Sequence, residues 1–128
     1  MRKNISSGAE WEQIVSYSRA VRTDSIIEVS GTTAIEHDGQ SLKGNMHGQA
    51  FHTLKKIEDA MKKAGAGMKD VVRTRMYVTD ISRWQEAARA HHEFFKDIMP
   101  ATSMVEVSKL IHPEMLIEIE ATAIVSNE

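Results

Sequence analysis

The chain has 128 residues, 41% hydrophobic and 27% charged, with a net charge of −2 from 16 Lys+Arg against 18 Asp+Glu. Such a length suits one domain that buries roughly two-thirds of its unfolded surface without staples. The absence of cysteine excludes disulfides and thiolate chemistry, and the lack of a basic excess argues against a nucleic-acid partner, whose binding must displace counterions.

Residues 1–10 are polar and carry no apolar run long enough for a signal peptide. No stretch approaches the roughly 20 apolar residues of a membrane span, so a cytoplasmic location is expected. Residues 16–22 and 25–30 read as short strands separated by Thr23-Asp24, whose side chains suit a turn. In the second, Ile27 and Val29 share one face while Ile26 and Glu28 share the other. Gly31 ends it, and residues 36–40 read as an exposed loop.

From residue 45 to residue 64 the period becomes helical. Ala50, Leu54, Ile57 and Met61 form the apolar stripe, with Phe51 beside them, and the lysine pairs at 55–56 and 62–63 take the wet side. Gly65-Ala66-Gly67 is the stop. Residues 71–79 follow as a strand with Val72, Thr74, Met76 and Val78 on one face and Arg73, Arg75 and Tyr77 on the other. Ser82 with Gln85 reads as a capping box opening a second helix that ends near Met99-Pro100. Its buried side is expected from Trp84, Ala87, Ala88, His91, Phe95 and Ile98. Two alternating strands close the chain, one around residues 103–107 and one from Ile117 to Ala123.

The expected order is β-β-α-β-α-β-β: a single α+β domain over residues 1–128, with one mixed sheet and two helices on one face. The opposite face would carry Arg73, Arg75, Tyr77, Glu106, Glu118 and Glu120 with nothing of its own to cover it. That predicts self-association.

Pro100-Ala101-Thr102-Ser103-Met104-Val105-Glu106-Val107, then Ile117-Glu118-Ile119-Glu120-Ala121, resembles the signature of the Rid/YjgF (reactive intermediate deaminase; endoribonuclease L-PSP-like) family. In that signature a Pro-Ala-Arg-(Ser/Thr)-x-Val-Glu-Val strand precedes a Val/Ile-Glu-Ile-Glu-Ala strand. Tyr17-Ser18-Arg19-Ala20-Val21, Val29-Ser30-Gly31 and the segment from Asp70 to Asp80 fit the same family in the same order. Residues 1–15 match poorly. The resemblance implies a chorismate-mutase-like fold: a homotrimer whose sheets form a central barrel, with small-molecule clefts between subunits.

Relatives with the full signature hydrolyse reactive enamines and imines such as 2-aminoacrylate, without metal or organic cofactor. Carried over, the resemblance places Tyr17 at the ligand edge, Ser30 and Gly31 at the cleft-lining turn, and Glu118 at the water-positioning glutamate. Thr102, beside Ser103, stands where the family has the arginine that grips the substrate carboxylate. A planar guanidinium makes two parallel hydrogen bonds to a carboxylate, and a threonine hydroxyl offers one neutral bond instead. Losing one partner of such a pair costs about 2–5 kcal/mol, roughly 30-fold to several-thousand-fold in affinity. A cleft retuned for a less acidic small molecule is therefore expected.

Each residue also has a plainer reading. Glu118 fits an interface charge network, Tyr17 a packed interface ring, and Thr102 and Ser103 ordinary strand positions. Arg73, Arg75 and Arg19 are the cations available to replace the missing one. His91-His92-Glu93 splay around a helix and His47 and His52 stand five apart, so no metal site is expected. The leading functional reading is a cofactor-free imine or enamine hydrolase. The alternatives are a non-catalytic, regulatory metabolite binder and, less well supported by the acidic charge, an endoribonuclease or translation inhibitor.

Overall fold

Strand-forming and helical stretches alternate along the chain, and the computed structural model, which describes residues 1–34 and 42–126, joins them into one six-stranded sheet. The elements are β1 (Arg2–Ile5), α1 (Glu10–Val15), β2 (Ala20–Thr23), β3 (Ile26–Thr32), α2 (Met46–Lys63), β4 (Val71–Val78), α3 (Trp84–Phe95), β5 (Ala101–Glu106) and β6 (Ile117–Ile124). The strands lie in the order β1-β2-β3-β6-β4-β5. Only β4 and β5 pair in parallel, and α3 is the crossover that a parallel pair requires. The loop expected at residues 36–40 lies outside the described residues. No helix among those described is long and apolar enough to cross a membrane.

The predicted α+β order survives as β2-β3-α2-β4-α3-β5-β6, with β1 and α1 added in front. β1 is a polar edge strand paired to β2, too short and too hydrophilic to betray itself by alternation. The expected strand over 16–22 is cut down to Ala20–Thr23, because Ser16 adopts a left-handed conformation (φ 74°) that closes α1.

The core lies between the sheet and the α2–α3 layer. Ala50, Leu54, Ile57 and Met61 are fully buried, facing Ile27 and Val29 of β3 and Ile117, Ile119, Ala121 and Ala123 of β6. Asn45 caps α2, its side-chain oxygen accepting from Gly48 N at 2.8 Å. Gln49, on the buried side of the same helix, donates to the carbonyls of Leu42 and Glu114 (3.0 Å each) and accepts from Leu116 N (2.8 Å). It thereby ties the β5–β6 connection to α2.

Four further expectations are corrected. The register of β4 on β6 slips between Val71 and Arg73, so Val71 is buried and Val72 is 42% exposed; one extra residue reverses the alternation behind it. Asp80, not Ser82, is the cap: its carboxylate accepts from Ser82 N and Oγ and opens a 3-10 turn, after which α3 begins at Trp84. Trp84 is exposed in that first turn, and Ala90 joins Ala87 and Phe95 inside. Glu106 lies on the helix side, paired to Val78, and accepts from Ile81 N. The open face instead carries Arg73, Arg75 and Tyr77 of β4, Ser103 and Val105 of β5, and Glu118 and Glu120 of β6.

Candidate functional site

A bulge in β3 shapes the site. Val29 pairs with Ala121 and Thr32 with Ile119, so Ser30 and Gly31 share a single opposing position on β6. Ser30 Oγ donates to the Ser18 carbonyl (2.7 Å), holding the bulge against the chain before β2. The Glu118 carboxylate lies directly against Gly31, where a Cβ would stand 2.0 Å from Glu118 Oε2. Only glycine leaves room for it.

Around this contact is an open hollow of about 440 Å³. Four of the residues expected at a ligand site, Tyr17, Ser30, Gly31 and Glu118, line it together. Burial pushes the Glu118 carboxyl above its usual range, and the nearby Glu120 adds to the shift; Arg19 opposes both without cancelling them. Glu120 also lines the hollow and accepts a hydrogen bond from the Tyr77 hydroxyl at 3.0 Å. Burial, and after it this acceptor, raise the Tyr77 pKa.

Arg19 forms the inner wall. Its Nη1 donates to the Gly31 carbonyl (2.7 Å) and Thr32 Oγ1 (3.0 Å), and its Nη2 to the Tyr17 hydroxyl (3.1 Å). Nε lies 3.6 Å from Glu12 Oε2. Both side chains of this pair are less than a tenth exposed. Burial alone would raise the Glu12 carboxyl, but hydrogen bonds from Ser7 and Ser6, aided by the Arg19 charge, hold it below its usual range. Arg19 is thus a strut that fixes Tyr17 and the Gly31 carbonyl, its charge already matched.

Thr102 and Ser103 are elsewhere. They sit on β5, beyond β6 and β4 from the bulge. Ser103 Oγ accepts from Arg73 on the open face at 2.7 Å. Thr102 borders a second hollow of about 400 Å³ with Met76, His91, Phe95, Met99 and Met104. There Thr74 Oγ1 donates to Thr102 Oγ1 (2.7 Å) and lies 2.8 Å from His91 Nε2, whose pKa burial lowers. Neither Arg73 nor Arg75 lines either hollow. His47 pairs with Glu93 at 2.6 Å, and no group of three or more potential metal ligands gathers among the described residues.

Sequence reasoning missed part of the first hollow: Trp11 and Val15 from α1, and Ile111 and Met115 from the loop that Gln49 anchors. Trp11, Ile14 and Val15 do recur at helical spacing. Six residues are too few for that pattern to stand out.

Comparison with known proteins agrees with the fold. The sequence pattern of the family described as Endoribonuclease L-PSP matches residues 8–125. A human 2-iminobutanoate/2-iminopropanoate deaminase is 31% identical over 125 residues, 97% of this chain and 90% of the relative. A RutC family protein of Pyrococcus abyssi is 32% identical over 108 residues, 84% of each chain. Among solved structures, a Mycobacterium tuberculosis member of the highly conserved YjgF/YER057c/UK114 family is 49% identical, with a TM-score of 0.89 over 98% of this chain and 100% of that one.

Proposed function

The chain belongs to the endoribonuclease L-PSP family, the Rid/YjgF family of its sequence resemblance, and from that premise we propose that it binds a small metabolite in the Gly31–Glu118 hollow and adds water to an imine or enamine there. The observation that carries the reading is the Glu118 carboxylate, half-withdrawn from solvent and set against a backbone that has no side chain. A carboxyl with a raised pKa is a stronger base than an ordinary carboxylate and is suited to exchanging protons with a bound water. In the proposed step, water attacks the imine carbon and the C=N π electrons pass to nitrogen. Glu118 accepts the water proton and returns it to nitrogen, and loss of ammonia from the carbinolamine leaves a carbonyl product. No metal or organic cofactor is required.

The exposed sheet face supports a homotrimer in which a neighbouring β5 closes the hollow. Ile26, Val105 and Ile124 are each about half exposed on that face beside its charges. In such an assembly the neighbouring β5 would bring Ser103 to the interface and no cation from the signature position, so 2-aminoacrylate would be a poor substrate. The protein would act in the cytoplasm.

The test is ketoacid release from 2-iminobutyrate and 2-aminoacrylate, alongside imines that lack a carboxylate. Measurable turnover of an imine that Glu118→Gln reduces at least about 100-fold is expected. Turnover untouched by that substitution would remove Glu118 from the mechanism. Light scattering that finds only monomer would remove the inter-subunit cleft.

A further inference from the structure

The direction of each hydrogen bond around Arg19 is fixed by chemistry. A guanidinium carries N–H groups and no acceptor, so every polar partner of Arg19 accepts from it. Its Nη2 donates to the Tyr17 hydroxyl at 3.1 Å, and Cζ stands 5.4 Å from the centre of the Tyr17 ring. The first contact takes up a lone pair of the phenol oxygen, and the second holds the ring in place. The phenol proton is left over. Among the described residues no acceptor takes it, and Tyr17 lines the hollow.

The same guanidinium holds the bulge. Nη1 donates to the Gly31 carbonyl (2.7 Å) and to Thr32 Oγ1 (3.0 Å), and Thr32 Oγ1 donates in turn to the Ser30 carbonyl at 2.7 Å. Arg19 is less than a tenth exposed, with the Glu12 carboxylate 3.6 Å from Nε. All these contacts lie within one protomer, so they stand whatever a neighbouring chain adds to the hollow.

We infer that Arg19 is a positioning residue that makes the Tyr17 hydroxyl a hydrogen-bond donor to the bound molecule, aimed at the imine nitrogen. A glutamine amide in its place could donate or accept, and would leave the Tyr17 hydroxyl free to take either direction. The step on which this donor acts rests on the imine hydration proposed above, whereas the donor itself rests on the Arg19 contacts. The partner of a donor is a lone pair, so the imine is bound unprotonated at nitrogen. The reaction balances as R2C=NH plus water giving R2C=O plus NH3. The water oxygen bonds to carbon, its proton passes to Glu118 and from there to nitrogen, and the C=N π pair withdraws onto that nitrogen. Tyr17 keeps its proton and stabilises the charge gathering there.

The probe is acetone, isotopically labelled at the carbonyl carbon, whose oxygen takes the place of an imine nitrogen. Its infrared stretch is followed on the full chain in its solution assembly. A saturable bound band is expected. Tyr17→Phe should move that band to higher wavenumber and weaken binding about 3- to 10-fold. Arg19→Gln alone strands Glu12, so a paired Glu12→Gln, Arg19→Gln variant removes both charges together. In that background Tyr17→Phe should change affinity less than about 2-fold, since the two residues act as one unit. Where an imine is turned over, Tyr17→Phe should lower kcat by more than it raises KM. Band and affinity unchanged in Tyr17→Phe, an undiminished Tyr17→Phe effect in the paired background, or no bound band at all would each overturn the inference. So would a Tyr17→Phe effect confined to assembly state by light scattering, which would place the phenol proton on a neighbouring chain.

The two readings fail separately. A Tyr17-dependent ketone band with no hydrolysis of any imine sinks the enzymatic reading and leaves the donor. Imine hydrolysis that Glu118→Gln abolishes and Tyr17→Phe leaves intact does the reverse.

Discussion

Gly31 and Glu118 are in direct contact across the β3–β6 bulge, so close that a methyl group on Gly31 would stand 2.0 Å from the carboxylate oxygen. The obstacle is the end of a flexible side chain and the Gly31 backbone is not in the left-handed region, so Gly31→Ala should cost the fold less than about 1 kcal/mol. Imine turnover, in contrast, should fall roughly 100-fold, because displacement of a positioned group by an ångström is enough for such a loss. Thermal melts together with ketoacid assays check both halves. A large fall in melting temperature with turnover intact would invert the expectation.

The raised pKa of Glu118 makes a stability statement. The folded chain holds this proton to higher pH than the unfolded chain does, so the cost of a charged Glu118 grows as pH climbs from the unfolded to the folded pKa and persists above it. Glu118→Gln, which cannot ionise, should therefore melt at a higher temperature than the parent at about pH 8. At about pH 3, where both states are protonated, the two should melt together. A Gln variant that is less stable at high pH would show the carboxylate to be stabilising.

Glu12 runs in the opposite sense. Its folded pKa is lowered, so its contribution is present above the unfolded pKa and lost as pH falls through the folded one. Glu12→Ala strands the buried Arg19 charge and should cost about 3–5 kcal/mol at neutral pH. The deficit should narrow below about pH 4, and urea unfolding across pH measures it. Because Arg19 holds Tyr17 and the Gly31 carbonyl, ligand affinity should fall in the same variant.

Gln49 gives a third stability test. Gln49→Leu leaves the carbonyls of Leu42 and Glu114 and the amide of Leu116 without their partner, a loss of about 3 kcal/mol or more. Amide exchange should quicken first in the loop before β6, which carries Ile111 and Met115 to the hollow. Uniform acceleration over the whole chain would show that the loop does not open separately.

Neighbouring valines separate the observed β4 register from the simple alternation. Val71→Ala should cost roughly 1.5–2.5 kcal/mol for a buried side chain, and Val72→Ala no more than about 0.5. The reverse order would restore the register expected without a bulge.

How much of this was legible follows from distance along the chain. The buried stripe of α2, the alternation of β6 and the order of seven elements could be read directly, because burial of one face imposes a period within a single segment. The signature strands carried the family, and with it Tyr17, Ser30, Gly31 and Glu118, which the fold does bring to one hollow. Tertiary structure alone decided the rest. Residues before β2 supply Trp11 and the Glu12 partner of Arg19, Gln49 reaches a loop 65 residues away, and two bulges reset which side chains face which side. None of these leaves a local period. Each depends on which distant groups meet once the chain is folded, and that is set by packing and by the need to satisfy buried polar atoms.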